Sequence, residues 1–170
     1  MTVPAAIGLG SNLGDRVAHL REAVARLGSA GEVVRTSSLY ETSPVGGPEQ
    51  GPFLNAVVIL NTGLDPWPLL QLLHQIENEA GRTRHVRWGP RTLDLDLIVY
   101  DAQRLHTELL TIPHPRAHER AFVLIPLLEV WPEAHLGRGA VGELAAGLAD
   151  PEVTLISRDW TAIPGEPVPG

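Results

Sequence analysis

The chain has 170 residues, a formal net charge of −7 and no cysteine. A single domain of this length buries roughly 70% of the surface its unfolded chain exposes, so it folds without disulfides or a structural metal. The absent thiols exclude cysteine nucleophiles, cysteine zinc sites and iron–sulfur clusters, and the acidic balance argues against a general nucleic-acid binder.

Residues 3–9 read as a buried strand, followed by a turn at Gly10, Ser11 and Asn12. This opening stretch has no basic lead and is broken by Gly8 and Gly10, so it is no signal peptide. No apolar run approaches the ~20 residues of a membrane span. The expected setting is therefore the cytoplasm. Val17, Leu20, Val24 and Leu27 fall on one face of a helix over residues 15–27. A strand is predicted over 33–42, a long Pro- and Gly-rich loop over 44–52, and a strand over 53–62. Leu69, Leu70, Leu73 and Ile76 form the stripe of a helix over 66–79, with Gly81 beyond its end. Residues 82–92 lack periodicity and read as a second long loop.

Residues 93–100 alternate as a strand, 106–118 are irregular around Pro113 and Pro115, and 122–130 read as a helix in spite of Pro126. Signals weaken after Trp131. Trp67, Trp131 and Trp160 read as core or interface residues. Residues 1–160 are expected to form one domain, with a flexible tail over 161–170. The order β-α-β-β-α-β plus a C-terminal extension predicts an α+β sandwich, its helices on one face of a mainly antiparallel sheet.

All thirteen basic residues are arginine. This excludes a Walker lysine, a Schiff-base lysine and a lysine general base. Any phosphate must be held by arginine forks, backbone amides and metal. Arg82, Arg84, Arg87 and Arg91 crowd one short segment, with Arg116 and Arg120 further on. A cationic site within an acidic chain suits a small anionic ligand.

That segment runs directly into Thr92-Leu93-Asp94-Leu95-Asp96-Leu97. On a strand, Asp94 and Asp96 share a face about 6.6 Å apart along the chain. At an effective dielectric near 20 their repulsion is about 2–3 kcal/mol, and aspartate suits strand interiors poorly. A hard divalent cation shared with substrate phosphates offsets both costs, because magnesium takes one or two carboxylates and completes its sphere with water and phosphate oxygens. Arg91, Asp94 and Asp96 therefore read as the centre of a magnesium-dependent phosphoryl-type transfer from a nucleotide.

Two other patterns carry less. Gly8-Leu9-Gly10-Ser11-Asn12-Leu13-Gly14 has the look of a dinucleotide loop, but needs a parallel strand ending in an acid, for which Glu41 is the candidate. A structural turn is the simpler reading, and a nicotinamide-dependent oxidoreductase stays open beside it. His114 and His118 lie four apart, but Pro113 and Pro115 break the helix a zinc pair would need.

The stretch Arg87-Trp88-Gly89-Pro90-Arg91-Thr92-Leu93-Asp94-Leu95-Asp96-Leu97-Ile98 resembles the signature of the 6-hydroxymethyl-7,8-dihydropterin pyrophosphokinases. Further motifs fall in that family's order: Gly10 to Asp15, Tyr40-Glu41-Thr42-Ser43-Pro44, Phe53-Leu54-Asn55-Ala56, Ile76-Glu77 with Gly81-Arg82, and Thr111-Ile112-Pro113-His114-Pro115. The likeness covers roughly residues 3–132, and it implies a ferredoxin-like version of the predicted sandwich.

The resemblance also implies a reaction. The β,γ-pyrophosphoryl unit of ATP passes to the pterin's hydroxymethyl oxygen and AMP leaves. By the same resemblance Asp94 and Asp96 hold two magnesium ions, and Arg82 and Arg91 act on the triphosphate. Glu77, Arg84, Trp88, Ile98, Thr111, His114 and Arg120 match positions at the ATP site. The pterin is expected between the rings of Phe53 and Phe122, with Asn55, Thr42 and Val45 at its edge. The loops over 44–52 and 82–92 match mobile loops that close over the site.

Three positions depart from the pattern: Phe53 in place of a tyrosine, His74 in place of a glutamine, and Leu109 in place of a basic residue. The expected partners are these two small molecules, without nucleic acid or membrane, and the chain is expected to act as a monomer. A non-catalytic module that binds pterin or nucleotide on the same fold is the remaining alternative.

Overall fold

The structure is a computed structural model, and it describes residues 1–43, 51–81, 92–148 and 153–161. In chain order the elements are β1 (Val3–Ser11), α1 (Arg16–Leu27), β2 (Gly31–Thr36), β3 (Leu39–Thr42), β4 (Phe53–Thr62), α2 (Pro66–Glu79) and β5 (Asp94–Tyr100). There follow the short β6 (Leu105–His106) and β7 (Thr111–Ile112), α3 (Ala121–Val130), α4 (Val141–Ala146) and β8 (Val153–Ser157). No helix among the described residues is long and apolar enough to cross a membrane.

The sheet runs β5-β1-β4-β3-β8, with β2 also paired to β4, and every pairing is antiparallel. The two βαβ units interleave so that β1 lies between β4 and β5, as the ferredoxin-like order requires. Alternate residues of each strand serve opposite faces. On one face Ala5, Ile7 and Leu9 of β1, Leu54, Ala56, Val58 and Leu60 of β4, and Leu95 and Leu97 of β5 meet the apolar stripes of α1 and α2. Asp15 caps α1 by accepting the Ala18 amide at 3.1 Å, which sets where that helix begins.

The opposite face is covered too, which corrects the expectation of helices on one face only. Ala6, Val57, Ile59, Ile98 and Val99 pack under α3. A strand buried on both sides reads as a continuous apolar run, and residues 56–60 are such a run. Helix α3 spans Ala121–Val130 with Pro126 in its interior.

Other boundaries move. Residues 33–42 divide into β2 and β3, which run one after the other along β4 with the register slipping by one residue at Ser37 and Ser38, both buried. Gly10 and Ser11 are not a turn but the last residues of β1, paired with Asn55 and Leu54. Past Trp131, β8 joins the outer side of β3. Trp160 lies in the main core at 3% exposure, its indole donating to the Ser37 carbonyl at 2.8 Å. Trp131 is half-buried and Trp67 is exposed. Residues 162–170, the greater part of the expected tail, lie outside the described residues.

Candidate active site

Strand register assembles the site. Asp94 pairs with Gly10, Gly10 pairs on its other side with Asn55, and Asn55 pairs with Tyr40. One step along, Asp96 pairs with Gly8, and Gly8 with Val57. These residues share the α3 side of the sheet, as do Phe53 and Thr42, which pair with each other. The carboxylate strand and the strand bearing Phe53 and Asn55 are thus two strand spacings apart, about 9.6 Å. Between them lies backbone alone.

The two glycines make that bare floor. A Cβ on Gly10 would stand 3.1 Å from Oδ1 of Asn55 and 3.7 Å from the Phe53 ring. A Cβ on Gly8 would stand 3.1 Å from Ile98 and 3.8 Å from Cβ of Asp96. The glycines were read as a turn, so their part in the site was missed. The available signal was two glycines at strand spacing, which mark close approach to a ligand or another backbone. The same register removes the dinucleotide loop: β1 has no parallel neighbour, and Glu41 pairs with Arg16 at 3.0 Å.

On the β4 side of the floor, Asn55 is 7% exposed and its Nδ2 donates to Thr42 Oγ1 at 2.7 Å. That bond fixes the amide's orientation and leaves Oδ1 facing Gly10. Phe53 and Phe122 are each half-buried. The Arg120 guanidinium carbon stands 5.5 Å from the Phe122 ring centroid, a cation–π contact that takes one face of the ring. The opposite face of the ring is left to other partners.

On the β5 side, Thr111 lies in β7, and the amide of His114 donates to the Ile98 carbonyl at 2.8 Å, tying β7's exit to β5. Burial, reinforced by the Arg120 charge and opposed by Asp94, lowers the His114 pKa to about 4. Its Nδ1 accepts the Arg116 amide at 3.2 Å. At neutral pH the ring is uncharged and carries its proton on Nε2, a donor suited to a phosphate oxygen.

Glu77 is placed differently. It is 1% exposed on the inner side of α2, and its Oε2 accepts the Leu95 amide at 2.8 Å. Because β5 is an edge strand, this amide between Asp94 and Asp96 points away from β1 and needs an acceptor. Glu77 supplies it, and so anchors the backbone that presents both carboxylates.

Asp94 and Asp96 are half-buried on one face. Among the described residues no group of three or more His, Cys, Asp or Glu side chains could hold a metal. Among the described residues, Asp94 and Asp96 are the carboxylates offered here. That donor set suits magnesium, which keeps water and phosphate oxygens in its sphere, and does not suit a cation needing a full protein cage. Arg82, Arg84, Trp88, Arg91 and Val45 lie outside the described residues. Leu109, in the basic position, is 71% exposed.

Comparison with known proteins agrees with this architecture. Residues 6–132 match the family model of the 7,8-dihydro-6-hydroxymethylpterin-pyrophosphokinases. The chain is 55% identical over 126 residues to the Bacillus subtilis 2-amino-4-hydroxy-6-hydroxymethyldihydropteridine pyrophosphokinase, covering 73% of this chain and 75% of that one. It is 44% identical to the Methylorubrum extorquens protein of the same name, covering 84% and 91%. A solved structure of wild-type Plasmodium falciparum HPPK-DHPS has the same fold, with a TM-score of 0.67 at 17% identity, over 86% of this chain and 44% of that one. With the match spanning most of the sequence, this chain belongs to the 7,8-dihydro-6-hydroxymethylpterin-pyrophosphokinase family.

Proposed function

We propose that this chain transfers the pyrophosphoryl group of ATP to 6-hydroxymethyl-7,8-dihydropterin, giving the pterin diphosphate and AMP in folate synthesis. Family membership supports the reaction, and one observation carries the site: the row Asp94–Gly10–Asn55 across the sheet. It sets a metal- and phosphate-binding edge beside a heterocycle pocket, with no side chain between them.

In this reading the hydroxymethyl oxygen attacks the β-phosphorus of ATP. The bond from that phosphorus to the α,β-bridging oxygen breaks, and AMP leaves with the bridging oxygen. Asp94 and Asp96 would hold magnesium, two ions by family resemblance. When bound, magnesium supplies charge neutralisation along the triphosphate. The chain's own residues do the rest. Phe53 and Phe122 grip the ring, each stack contributing on the order of 1 kcal/mol beyond area burial. Thr42 holds Asn55 against the pterin edge, and the floor at Gly8 and Gly10 lets the two substrates meet. Nε2 of His114 donates to a phosphate oxygen, and Arg120 lies between the two subsites. Arg82 and Arg91 stabilise the charge that develops at transfer, while Arg84, Trp88, Ile98 and Thr111 line the nucleotide. A single chain supplies every group, so the reading takes the enzyme as a monomer, working in the cytoplasm.

The test is product identity. Purified protein with ATP, magnesium and the hydroxymethyl pterin should release AMP in step with pterin diphosphate. Formation of ADP, or of no nucleotide product, would overturn the assignment.

A further inference from the structure

The last turn of α3 is fastened to the sheet by a device that touches neither substrate pocket. The Glu129 carboxylate accepts three hydrogen bonds: from the Ser38 amide at 3.0 Å, from Ser38 Oγ at 2.9 Å, and from the Tyr40 hydroxyl. Beside it, Arg35 donates to the Val130 carbonyl at 2.9 Å. Ser38 and Tyr40 are buried, at 4% and 9% exposure, so their hydroxyls depend on this surface carboxylate for an acceptor. Tyr40 remains a donor well into the alkaline range, because burial and then the Glu129 carboxylate raise its pKa to about 12.

Both partners of this clamp also carry the pterin pocket. Seven residues before Glu129, two turns and about 10.5 Å along the same helix face, stands Phe122. Two residues after Tyr40 stands Thr42, which holds Asn55 and pairs with Phe53. Between Phe122 and Glu129 lies Pro126. It has no amide hydrogen to give the Phe122 carbonyl, so the helix loses the bond that would hold its N-terminal half in register. A helix weakened there takes its position from its outer attachments. At the C-terminal end the polar attachments are this clamp and the Arg35–Val130 bond.

We propose that Ser38, Tyr40 and Glu129 form a positioning clamp that sets the gap between Phe122 and Phe53, and so governs pterin affinity without contacting pterin or ATP. This rests on the pterin pyrophosphokinase reading of the site. Glu129 is a positioning residue rather than a catalytic one. Loosening it should widen the aromatic slot while leaving the Asp94–Asp96 edge in place.

The experiment measures Michaelis constants for both substrates, together with pterin binding by fluorescence titration with magnesium and a non-hydrolysable ATP analogue. Glu129→Gln should raise KM and Kd for the pterin about tenfold, with KM for ATP and kcat changed less than about threefold. Tyr40→Phe, which removes one of the three bonds and keeps the buried ring, should give about a third of that effect. Val141→Ala serves as control, since it destabilises the same α3-side core from α4, away from the residues assigned to either substrate; its pterin Kd should stay at the wild-type value. Equal pterin constants in wild type and Glu129→Gln, or an equal rise in Val141→Ala, overturns the clamp while wild-type turnover leaves the functional reading standing. A wild type that neither forms AMP nor binds the pterin overturns both.

Discussion

The two faces of the sheet are made by the same strands and differ in almost everything else. Under α1 and α2, the central residues of β1, β4 and β5 are aliphatic and buried, with Ser11, Thr62 and Tyr100 at the strand ends. Under α3 the apolar cover stops halfway. Beyond Val57 and Ile98 the same strands present Gly8, Gly10, Asn55, Asp94 and Asp96. One face is optimised for burial. The other accepts carboxylate repulsion and absent side chains along its upper half, a local loss of stability of the kind that functional sites carry.

This contrast can be broken or sharpened by substitution, from the largest effect to the smallest. On the open face, Asp96→Ala should reduce turnover by roughly 10³-fold or more if the carboxylate holds magnesium as proposed. Its thermal midpoint should stay within a few degrees of wild type, since the side chain is only half-buried and lies outside the apolar core. Normal turnover with unchanged magnesium dependence, measured in the AMP assay, would count against the role given to Asp96.

On the closed face the signature reverses. Leu73 is fully buried among α2's contacts, and Leu73→Ala should cost about 2–5 kcal/mol through lost transfer energy and an unfilled cavity. Calorimetry should show the midpoint falling by roughly 5–15 °C. Both Michaelis constants should be retained at a temperature where the variant is folded. A selective loss of pterin affinity would show that the two faces are not separable.

Gly10→Ala probes the floor. The added methyl would press on Asn55 Oδ1 and the Phe53 ring, and Asn55 cannot yield without breaking its bond to Thr42. We expect kcat/KM for the pterin to fall about 10–100-fold, with nucleotide binding by calorimetry nearly unchanged. A variant with wild-type kinetics would mean that the space above Gly10 is not used.

Glu77→Gln crosses between the faces. The residue lies on the closed side but holds the amide between the two aspartates. Replacing a charged acceptor with a neutral one should cost about 1–2 kcal/mol. In denaturant titration the loss should appear as a lower midpoint at unchanged slope, accompanied by a weaker response of kcat to magnesium. A stability loss with an unaltered magnesium response would confine Glu77 to a structural role.

Much of this could be read from local pattern. Helix α2 occupies the predicted residues 66–79, and β4 the predicted 53–62. Each combines a clear period with punctuating residues at its ends: Asp65 and Pro66 before the helix, Gly63 after the strand. Asp94 and Asp96 were legible because two carboxylates on one strand face conflict with strand chemistry unless something compensates them. Less legible were the elements whose stability comes from distant partners. Strand β8 is a strand because β3 has an open edge beside it, and α3 survives Pro126 because the second sheet face must be covered.

By itself, then, the sequence determined the βαββαβ order, the paired aspartates and the set of motifs that point to the family. Those signals are local, arising from periodicity, steric limits and charge within a few residues. Tertiary structure alone decided that Gly10 would separate Asp94 from Asn55, that Glu77 would face the β5 backbone, and that Glu129 would reach Ser38 and Tyr40 some ninety residues away. Each depends on strand register or on the seating of a helix. Register is set by burying the closed face as a whole, and no short segment contains the information for that.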